Sequence, residues 1–439
     1  MLESYHETAA GHPRDVTRGH WTGRHRAPML RAMNDTSLRT QVVVVGGGLA
    51  GATMAAALGQ SGIDTVILDQ EPAAARTLPE FDGRTTALSY GSRRIVASAG
   101  LWDPVADQAE PILDIRIADG RAPVFLHFDH QEMAGESNGA PFGHIVENRL
   151  LRLAQFERLE ALPAVRHVAP AKVVAVETGT GHAAVTLADG RVVRADLVIG
   201  ADGRGSFTRQ QLGIPARSFA YRQKAVVCVM AHAEPHDGVA VEHFLPAGPF
   251  AVLPMRDDAD GTHRSSIVWT EQPDTADDLV HRPVAAFDAA LQAVVGDWLG
   301  PVRTLGKRFT YPLGVVHARR YGARRAALIG EAAHGIHPIA GQGLNLGLRD
   351  IAVLSGLLVE RSRLGLDLGD PALLQRYEQL RRPDNVAMIL ATDGLNRLFS
   401  TDLSPVQLAR DFGLAAVGRL PPVKRFFMRQ AMGLGARAR

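Results

Sequence analysis

The stretch 41-QVVVVGGGLAGATMAAALGQSGIDTVILD-69 decides the fold. Gln41–Val45 is a β-branched run, too short for a buried helix and suited to a central parallel strand covered on both faces. Gly46-Gly47-Gly48-Leu49-Ala50-Gly51 satisfies G-x-G-x-x-G. In that pattern Gly46 permits the tight turn, Gly48 lets backbone approach a pyrophosphate, and Gly51 lets the helix pack on the strand. Ala52–Gln60 continues as a helix of small residues, and Thr65–Leu68 gives a second strand with Asp69 at its end. A carboxylate there suits the hydroxyls of a ribose. A lone glycine pattern is weak. Strand, glycines, helix, strand and acid in this order specify a nucleotide site.

Two distant stretches extend that site. In 330-GEAAHGIHPIAGQGLNLGLRD-350 an acid, Glu331, follows the apolar strand Ala326–Ile329. After a turn at Pro338, Gly341-Gln342-Gly343 lead through Asn345 into a helix. Such a helix start presents bare N–H groups and a positive dipole end. Its small side chains let a planar ligand lie on the backbone. A reduced flavin, negative near N1 and the C2 oxygen, suits that place. The second stretch, 197-LVIGADGRGS-206, ends an apolar strand in Asp202-Gly203, with Ser206 and Arg209 leading onward. Taken alone it is a strand followed by a turn. His334 and His337 form H-x-x-H, but Pro338 breaks a helical reading and no third ligand stands at matching spacing, so no metal site is expected.

The 330–350 stretch resembles the second flavin-binding motif of the single-component flavin aromatic hydroxylases, and more narrowly that of the ubiquinone-biosynthesis hydroxylases. Asp202-Gly203 is similar to their Asp-Gly motif, near the flavin pyrophosphate and a transient nicotinamide site. The loop 82-DGRTTAL-88 looks like one that carries an arginine, here Arg84, beside the flavin. In 143-GHIVENRLL-151 the matching arginine is Arg149. The stretches 221-YRQKA-225 and 242-EHFLPAGPFAVLPM-255 also fit, and the resemblance runs from about 41 to 400. It departs at Glu331, where the family carries aspartate, so the carboxylate sits one methylene farther out. The resemblance implies that Gly46, Gly48, Gly51, Asp69, Arg84, Arg149, Asp202, Gly203, Glu331, Gly341, Gln342, Gly343 and Asn345 bind the cofactor.

The implied fold is α/β, like p-hydroxybenzoate hydroxylase. An FAD-binding Rossmann-like domain is assembled from separated segments, with an antiparallel-sheet substrate domain and C-terminal helices. The FAD segments are expected at 40–111, 143–215 and 305–365, the substrate segments at 112–142 and 216–304, and a helical region at 366–439. Asp119-Gly120 signals a hairpin. Lys224–Ala231, Gly238–Phe244, Phe250–Met255 and Arg264–Thr270 read as successive strands, the last two lining a ring pocket. From Pro371 the pattern is helical.

The implied activity is an FAD-dependent monooxygenase that hydroxylates the ring of a polyprenyl phenol on the way to ubiquinone. NADH or NADPH serves as a transient co-substrate, and dioxygen reacts through a C4a-hydroperoxyflavin. No second G-x-G-x-x-G is present to hold a nicotinamide stably. No catalytic side chain is assigned, and a base for the phenol is unnamed. A flavin reductase of prenyl double bonds, or a non-catalytic flavin-binding scaffold of a quinone-synthesis complex, remain alternatives. No W-x-W-x-I-P segment points to a halogenase.

Composition narrows the setting. The formal charge of +2 on 439 residues gives no footprint for nucleic acid. The single cysteine, Cys228, lies in an apolar strand, excludes an intramolecular disulfide and fits a reducing cytoplasm. Residues 1–38 lack period and an apolar core, so a disordered extension is expected rather than a secretory signal, with Met33 an alternative start. The C-terminal Arg419, Lys424, Arg425, Arg429, Arg437 and Arg439 interleave with Leu420, Val423, Phe426, Phe427, Met428 and Met432. Such a segment either lies on an anionic membrane surface or packs its apolar side on the body. With no bilayer-length apolar run, the expected location is cytoplasmic, peripheral on the inner membrane.

Overall fold

The computed structural model describes residues 37–72, 83–120, 125–399, 417 and 419–434. The extension expected over 1–38 therefore lies outside the described residues up to 36, while Ser37 and Leu38 already belong to the first strand.

The first sheet runs in the order Gly322–Ala323, Ala326–Leu328, Val192–Gly200, Ser37–Val45, Thr65–Leu68, Val165–Val168. All its pairings from Ala326–Leu328 to Val165–Val168 are parallel. Val173–Thr178 and Ala183–Leu187 add an antiparallel extension beside Val192–Gly200. Along the first strand, Val42 and Val44 face a core built with helices Leu49–Gln60, Asn148–Ala161 and Gln342–Arg363, while Val43 and Val45 face Val176, Val185 and Leu187. Both faces are dry, which is why the run is uninterrupted valine. Segments far apart in sequence thus assemble one nucleotide-binding sheet, as expected.

The second sheet runs His334–Gly335, Val302–Ala318, Ala216–His232, His263–Glu271, Gly248–Met255, Val239–Leu245, Asp114–Asp119, Phe125–Asp129. It is antiparallel except where Val239–Leu245 lies parallel to Asp114–Asp119. The four strands expected between 224 and 270 are neighbours in it. One face packs Val226, Cys228, Ile267 and Trp269 against Phe287 and Leu291 of helix Val284–Val295. Cys228 is buried there, and burial pushes its thiol up to about 12, so it stays a neutral core residue. A three-stranded sheet of Thr85–Ser89, Gly143–Glu147 and Glu110–Ile112 completes the strands.

One long strand was not anticipated. Val302–Ala318 pairs with Ala216–His232, so the expected cofactor segment 305–365 opens inside the second sheet. Gly306, Pro312 and Gly314, with Arg303, Lys307 and Arg308, interrupt the apolar alternation that would have marked it.

The two large sheets are joined through the turn 329–341. Ala326–Leu328 belongs to the first sheet, and His334–Gly335 pairs with Val316 and His317 in the second. Asp350, fully buried on helix Gln342–Arg363, holds this turn. One carboxylate oxygen accepts from Gly330 N at 3.0 Å and lies 2.5 Å from His334 Nε2. The other accepts from Arg381 Nε at 2.8 Å and Asn385 Nδ2 at 3.2 Å, both on helix Pro371–Phe399. Burial pushes the Asp350 carboxyl up, but His334 and Arg381 outweigh it and hold it down to about 2.

Removing one member of a buried, hydrogen-bonded charge pair costs about 3–5 kcal/mol. Asp350→Asn should lower unfolding stability by that order at neutral pH. A carboxylate with a depressed folded pKa stabilises only while ionised. The gap between wild type and variant should therefore narrow as pH falls from about 4, the ordinary range for aspartate, toward about 2. Urea unfolding across that window checks this, and a gap that does not change with pH would count against it.

Candidate functional site

Four parallel strands end on one edge, and their ends carry the sequence motifs. Gly46, Asp69, Ala201 and Ile329 each follow or close such a strand. The chain leaves Ser37–Val45 toward Thr65–Leu68 on one side, and Val192–Gly200 lies on the other. In open α/β sheets, ligands bind at the carboxyl ends of strands where the order reverses in this way.

The glycines at this edge divide into two kinds. Gly46 has φ +105°, and a Cβ on it would lie 2.6 Å from Ala201 O. A Cβ on Gly51 would lie 1.9 Å from Gly46 O, so helix and turn pack backbone to backbone. Gly48, Gly203 and Gly343 differ: a Cβ on any of them would meet nothing within 4 Å. Bare backbone facing open space at three motif positions fits a large planar ligand lying against the chain. The structure adds Gly47, where a Cβ would lie 2.3 Å from Asp69 Oδ2. The run of three glycines was the available signal for it. Asp69 itself is buried.

Several motif side chains are occupied in shaping backbone. Asn345 donates from Nδ2 to Ala87 O at 2.8 Å and Gly341 O at 3.0 Å, and its Oδ1 accepts from Ser89 N at 3.0 Å. It thereby ties the start of helix Gln342–Arg363 to strand Thr85–Ser89. Gly341 precedes that helix in the left-handed region, at φ +61°, and Gln342 is buried beside it. Asp202 accepts from Ser206 Oγ at 2.5 Å and Thr208 N at 2.8 Å, bracing the start of helix Phe207–Gln211. Arg209, buried, donates to Ala332 O and Arg204 O, both at 2.8 Å. Glu331 is exposed and accepts from Arg204 Nε at 2.7 Å. The longer acid is thus accommodated at the surface, beside the Asp202 turn.

The two arginines singled out lie at one end of the three-stranded sheet, Arg84 just before strand Thr85–Ser89 and Arg149 in helix Asn148–Ala161. Arg149 donates from Nε to Glu147 Oε2 at 2.5 Å, and Arg84, exposed, accepts at its backbone oxygen from Asn148 N at 3.0 Å. They flank the three-stranded sheet, which reaches the flavin-motif helix through Asn345. His334 is committed to Asp350. His337 is fully buried in a T-shaped contact with Tyr221, ring centroids 4.9 Å apart, and burial lowers it to about 4, so it is neutral near pH 7. Among the described residues neither of its ring nitrogens has a hydrogen-bond partner.

A cavity of about 430 Å³ adjoins the helix start. Ser89, Gln342 and Asn345 line one part. Ile117 and Leu126, Phe244, Leu253 and Phe399 line most of the rest, and Phe427 and Ala431 of helix Pro421–Ala431 close it. Its size and apolar lining are those of a small-molecule site. Of the two strands expected to line a ring pocket, Gly248–Met255 contributes Leu253, and His263–Glu271 contributes no lining residue among those described. Instead Ile267 and Trp269 point to the helix-covered face. The neighbouring Val239–Leu245, one of the four strands expected in the substrate sheet, contributes Ala240, Val241, Glu242 and Phe244 to the wall.

Comparison with known proteins follows the geometry. The FAD binding domain family matches residues 39–392. The chain is 50% identical over 392 residues to the ubiquinone hydroxylase UbiL of Rhodospirillum rubrum, covering 89% of each chain. It is 34% identical to the 3-demethoxyubiquinol 3-hydroxylase of Escherichia coli, covering 91% of this chain and 100% of that one. Among solved structures, p-nitrophenol 4-monooxygenase PnpA of Pseudomonas putida superposes with a TM-score of 0.73 at 20% identity, covering 92% of this chain and 100% of that one. At that identity the likeness is one of fold.

Because Gly48 and Gly343 face open space, an indole there should not disturb the protein interior. Gly48→Trp and Gly343→Trp are expected to purify folded but without bound flavin, read from the visible absorbance of the purified protein. Full flavin loading in both folded variants would show the cofactor lies elsewhere.

Proposed function

The chain belongs to the ubiquinone-biosynthesis hydroxylases within the FAD-dependent monooxygenases, and we propose from that premise how its own residues perform the reaction. The protein binds FAD and hydroxylates a phenolic intermediate of ubiquinone biosynthesis. The carrying observation is that the open glycines of three separate motifs converge at the carboxyl edge of one parallel sheet, beside an apolar cavity.

The bare backbone at Gly48 receives the pyrophosphate at the helix start Leu49–Gln60, and Asp69 receives the ribose. The turn at Asp202-Gly203 and the carboxylate of Glu331 would hold the pyrophosphate and the ribityl chain, and Arg84 and Arg149 would serve the isoalloxazine. The start of helix Gln342–Arg363, from Gly341 to Asn345, directs its N–H groups and dipole at the N1 and C2 oxygen region and favours the anionic reduced ring. Bound there, FAD would supply hydride acceptance from NADH or NADPH and dioxygen activation for transfer of one oxygen atom to the aromatic ring. The chain positions the ring, accommodates the charge and keeps water away. A polyprenyl phenol suits the cavity, because Ser89, Gln342 and Asn345 offer a polar end and the remaining wall is nearly all apolar. The cofactor domain is assigned to segments within 40–111 and 143–215 and to a third ending near 365. The strand Val302–Ala318 goes with the substrate sheet.

Among the described residues no helix is long and apolar enough to cross a membrane. We assign the protein to the cytoplasm, resting on the inner membrane through its C-terminal segment, where a quinone-synthesis complex would also gather. Helix Pro421–Ala431 supports both readings made for this segment. Met428 and Met432 pack into the body, while Leu420, Val423 and Phe426 are exposed next to Arg419 and Arg425. Lys424 and Arg429 are held by Glu132 and Glu136, at 2.5 and 2.8 Å.

Purified protein given NADH or NADPH, labelled dioxygen and a short-chain prenylphenol should yield a product with one labelled oxygen on its ring, read by mass spectrometry. A saturated side chain without label would instead make it a reductase, and bound flavin without turnover a scaffold. Arg425→Glu with Phe426→Ser should release the protein from anionic vesicles in a flotation assay. Retained binding would remove the terminal helix as the membrane contact.

A further inference from the structure

The cavity wall contains one charged side chain among the described residues. Glu242 lies on strand Val239–Leu245 and lines the space between Ala240 and Phe244, which point the same way along the strand. Its cross-strand neighbours are Ile117 and Ala251. Among the described residues, its companions in the wall on that strand and across from it in the sheet are apolar.

The position of Glu242 along the strand gives the carboxylate a direction. Phe244, two residues on and so about 7 Å away, packs with Ile339 of the turn leading to Gly341, and stacks on Phe399 at 3.9 Å. Ala240, two residues back, joins the cluster of Leu126, Phe128 and Phe142 that meets Met428 and Met432 of the terminal helix. Glu242 therefore stands between the flavin-motif turn and the apolar end of the cavity. An amphiphile with its ring toward Gln342 and its tail toward the terminal helix would bring its ring hydroxyl past this carboxylate.

A carboxylate facing an apolar cavity is costly unless something charged or hydrogen-bonding meets it. Glu242 is half-buried and already engaged within the protein. Two carboxylate oxygens offer about four acceptor positions, so engagement within the protein is compatible with accepting a ligand's hydroxyl as well.

We infer that Glu242 is the catalytic carboxylate that accepts the hydrogen bond, and during reaction the proton, of the substrate's phenolic hydroxyl. This rests on the hydroxylase reading of the same site. As the phenolic proton moves to a Glu242 oxygen, electron density enters the ring, and the attacked carbon forms its bond to the transferred oxygen while the O–O bond breaks and its electron pair stays on the second oxygen. That carbon then loses its own proton to solvent, and Glu242 returns its proton to the phenolate oxygen. The two electrons come from NADH or NADPH, and the second atom of dioxygen leaves as water. Glu242 ends the cycle as it began.

The test uses the FAD-loaded, full-length enzyme with a short-chain prenylphenol and its O-methyl ether. Glutamine keeps the shape of glutamate and can still accept a hydrogen bond, but it cannot take a proton. Glu242→Gln should bind the phenol within a few-fold of wild type while kcat falls about 100-fold, the usual contribution of a positioned base. Flavin content and unfolding midpoint should be unchanged, which a purely structural role would not predict alongside the loss of kcat. A second measurement needs no variant: wild type should bind the phenol at least about tenfold more tightly than the methyl ether, as expected for a charged hydrogen-bond partner. An active wild type with equal affinity for both ligands, or a Glu242→Gln enzyme with wild-type kcat, overturns the assignment. A wild type that does not hydroxylate the phenol at all would instead remove the hydroxylase reading on which it rests.

Discussion

The buried carboxylate of Asp350 is the constraint on which the rest of the site depends. A charge with no exposure is tolerated only if its oxygens are satisfied and its charge is answered. Here Gly330, His334, Arg381 and Asn385 do both. These partners belong to the turn after the first sheet, the small strand entering the second, and the long C-terminal helix. One side chain thus ties the turn 329–341 and the long C-terminal helix to its own helix. Gly341 and the helix start follow from that tie, because Asp350 sits two turns along the same helix.

Around this anchor, polar side chains chiefly hold peptide groups in place. Asn345 fixes the strand Thr85–Ser89, Asp202 fixes its own turn, and Arg209 joins that turn to Ala332. Each bond is local and modest, but together they leave unencumbered backbone at Gly48, Gly203 and Gly343. A cofactor that carries its own reactivity needs this kind of support more than it needs nucleophiles.

This division explains what was legible in the sequence. Backbone requirements leave strong traces: the valine run, the spacing of Gly46, Gly48 and Gly51, and Asp69 at a strand end together specified the parallel sheet and its ligand edge. The second motif specified a helix start at Gly341–Asn345, and the helix begins at Gln342. Less could be read where tertiary pairing decides. Val302–Ala318 gains its extended form from Ala216–His232 rather than from its own alternation. Of the two strands expected at the ring pocket, Gly248–Met255 brings Leu253 to the cavity while His263–Glu271 turns Ile267 and Trp269 to the helix-covered core, a distinction that apolar composition alone does not make. Asp350 was in plain view at the end of the quoted motif, but nothing local distinguishes a buried, four-fold bonded aspartate from a helical surface acid.

The same reasoning explains why side-chain chemistry is the last thing to emerge. Glu242 precedes His243, Phe244 and Leu245 in a strand whose period-two pattern says only which residues share a face. Whether that face is wet, packed or facing a ligand depends on what lies across from it. Across from it here are Ile339 and Phe399, brought in by the turn and the helix that Asp350 ties together. A carboxylate that would be an ordinary surface charge on an edge strand thus becomes the one charged side chain, among the described residues, in the wall of a cavity. Its chemical meaning is a property of the assembled cavity, and it follows from a buried ion cluster elsewhere in the chain.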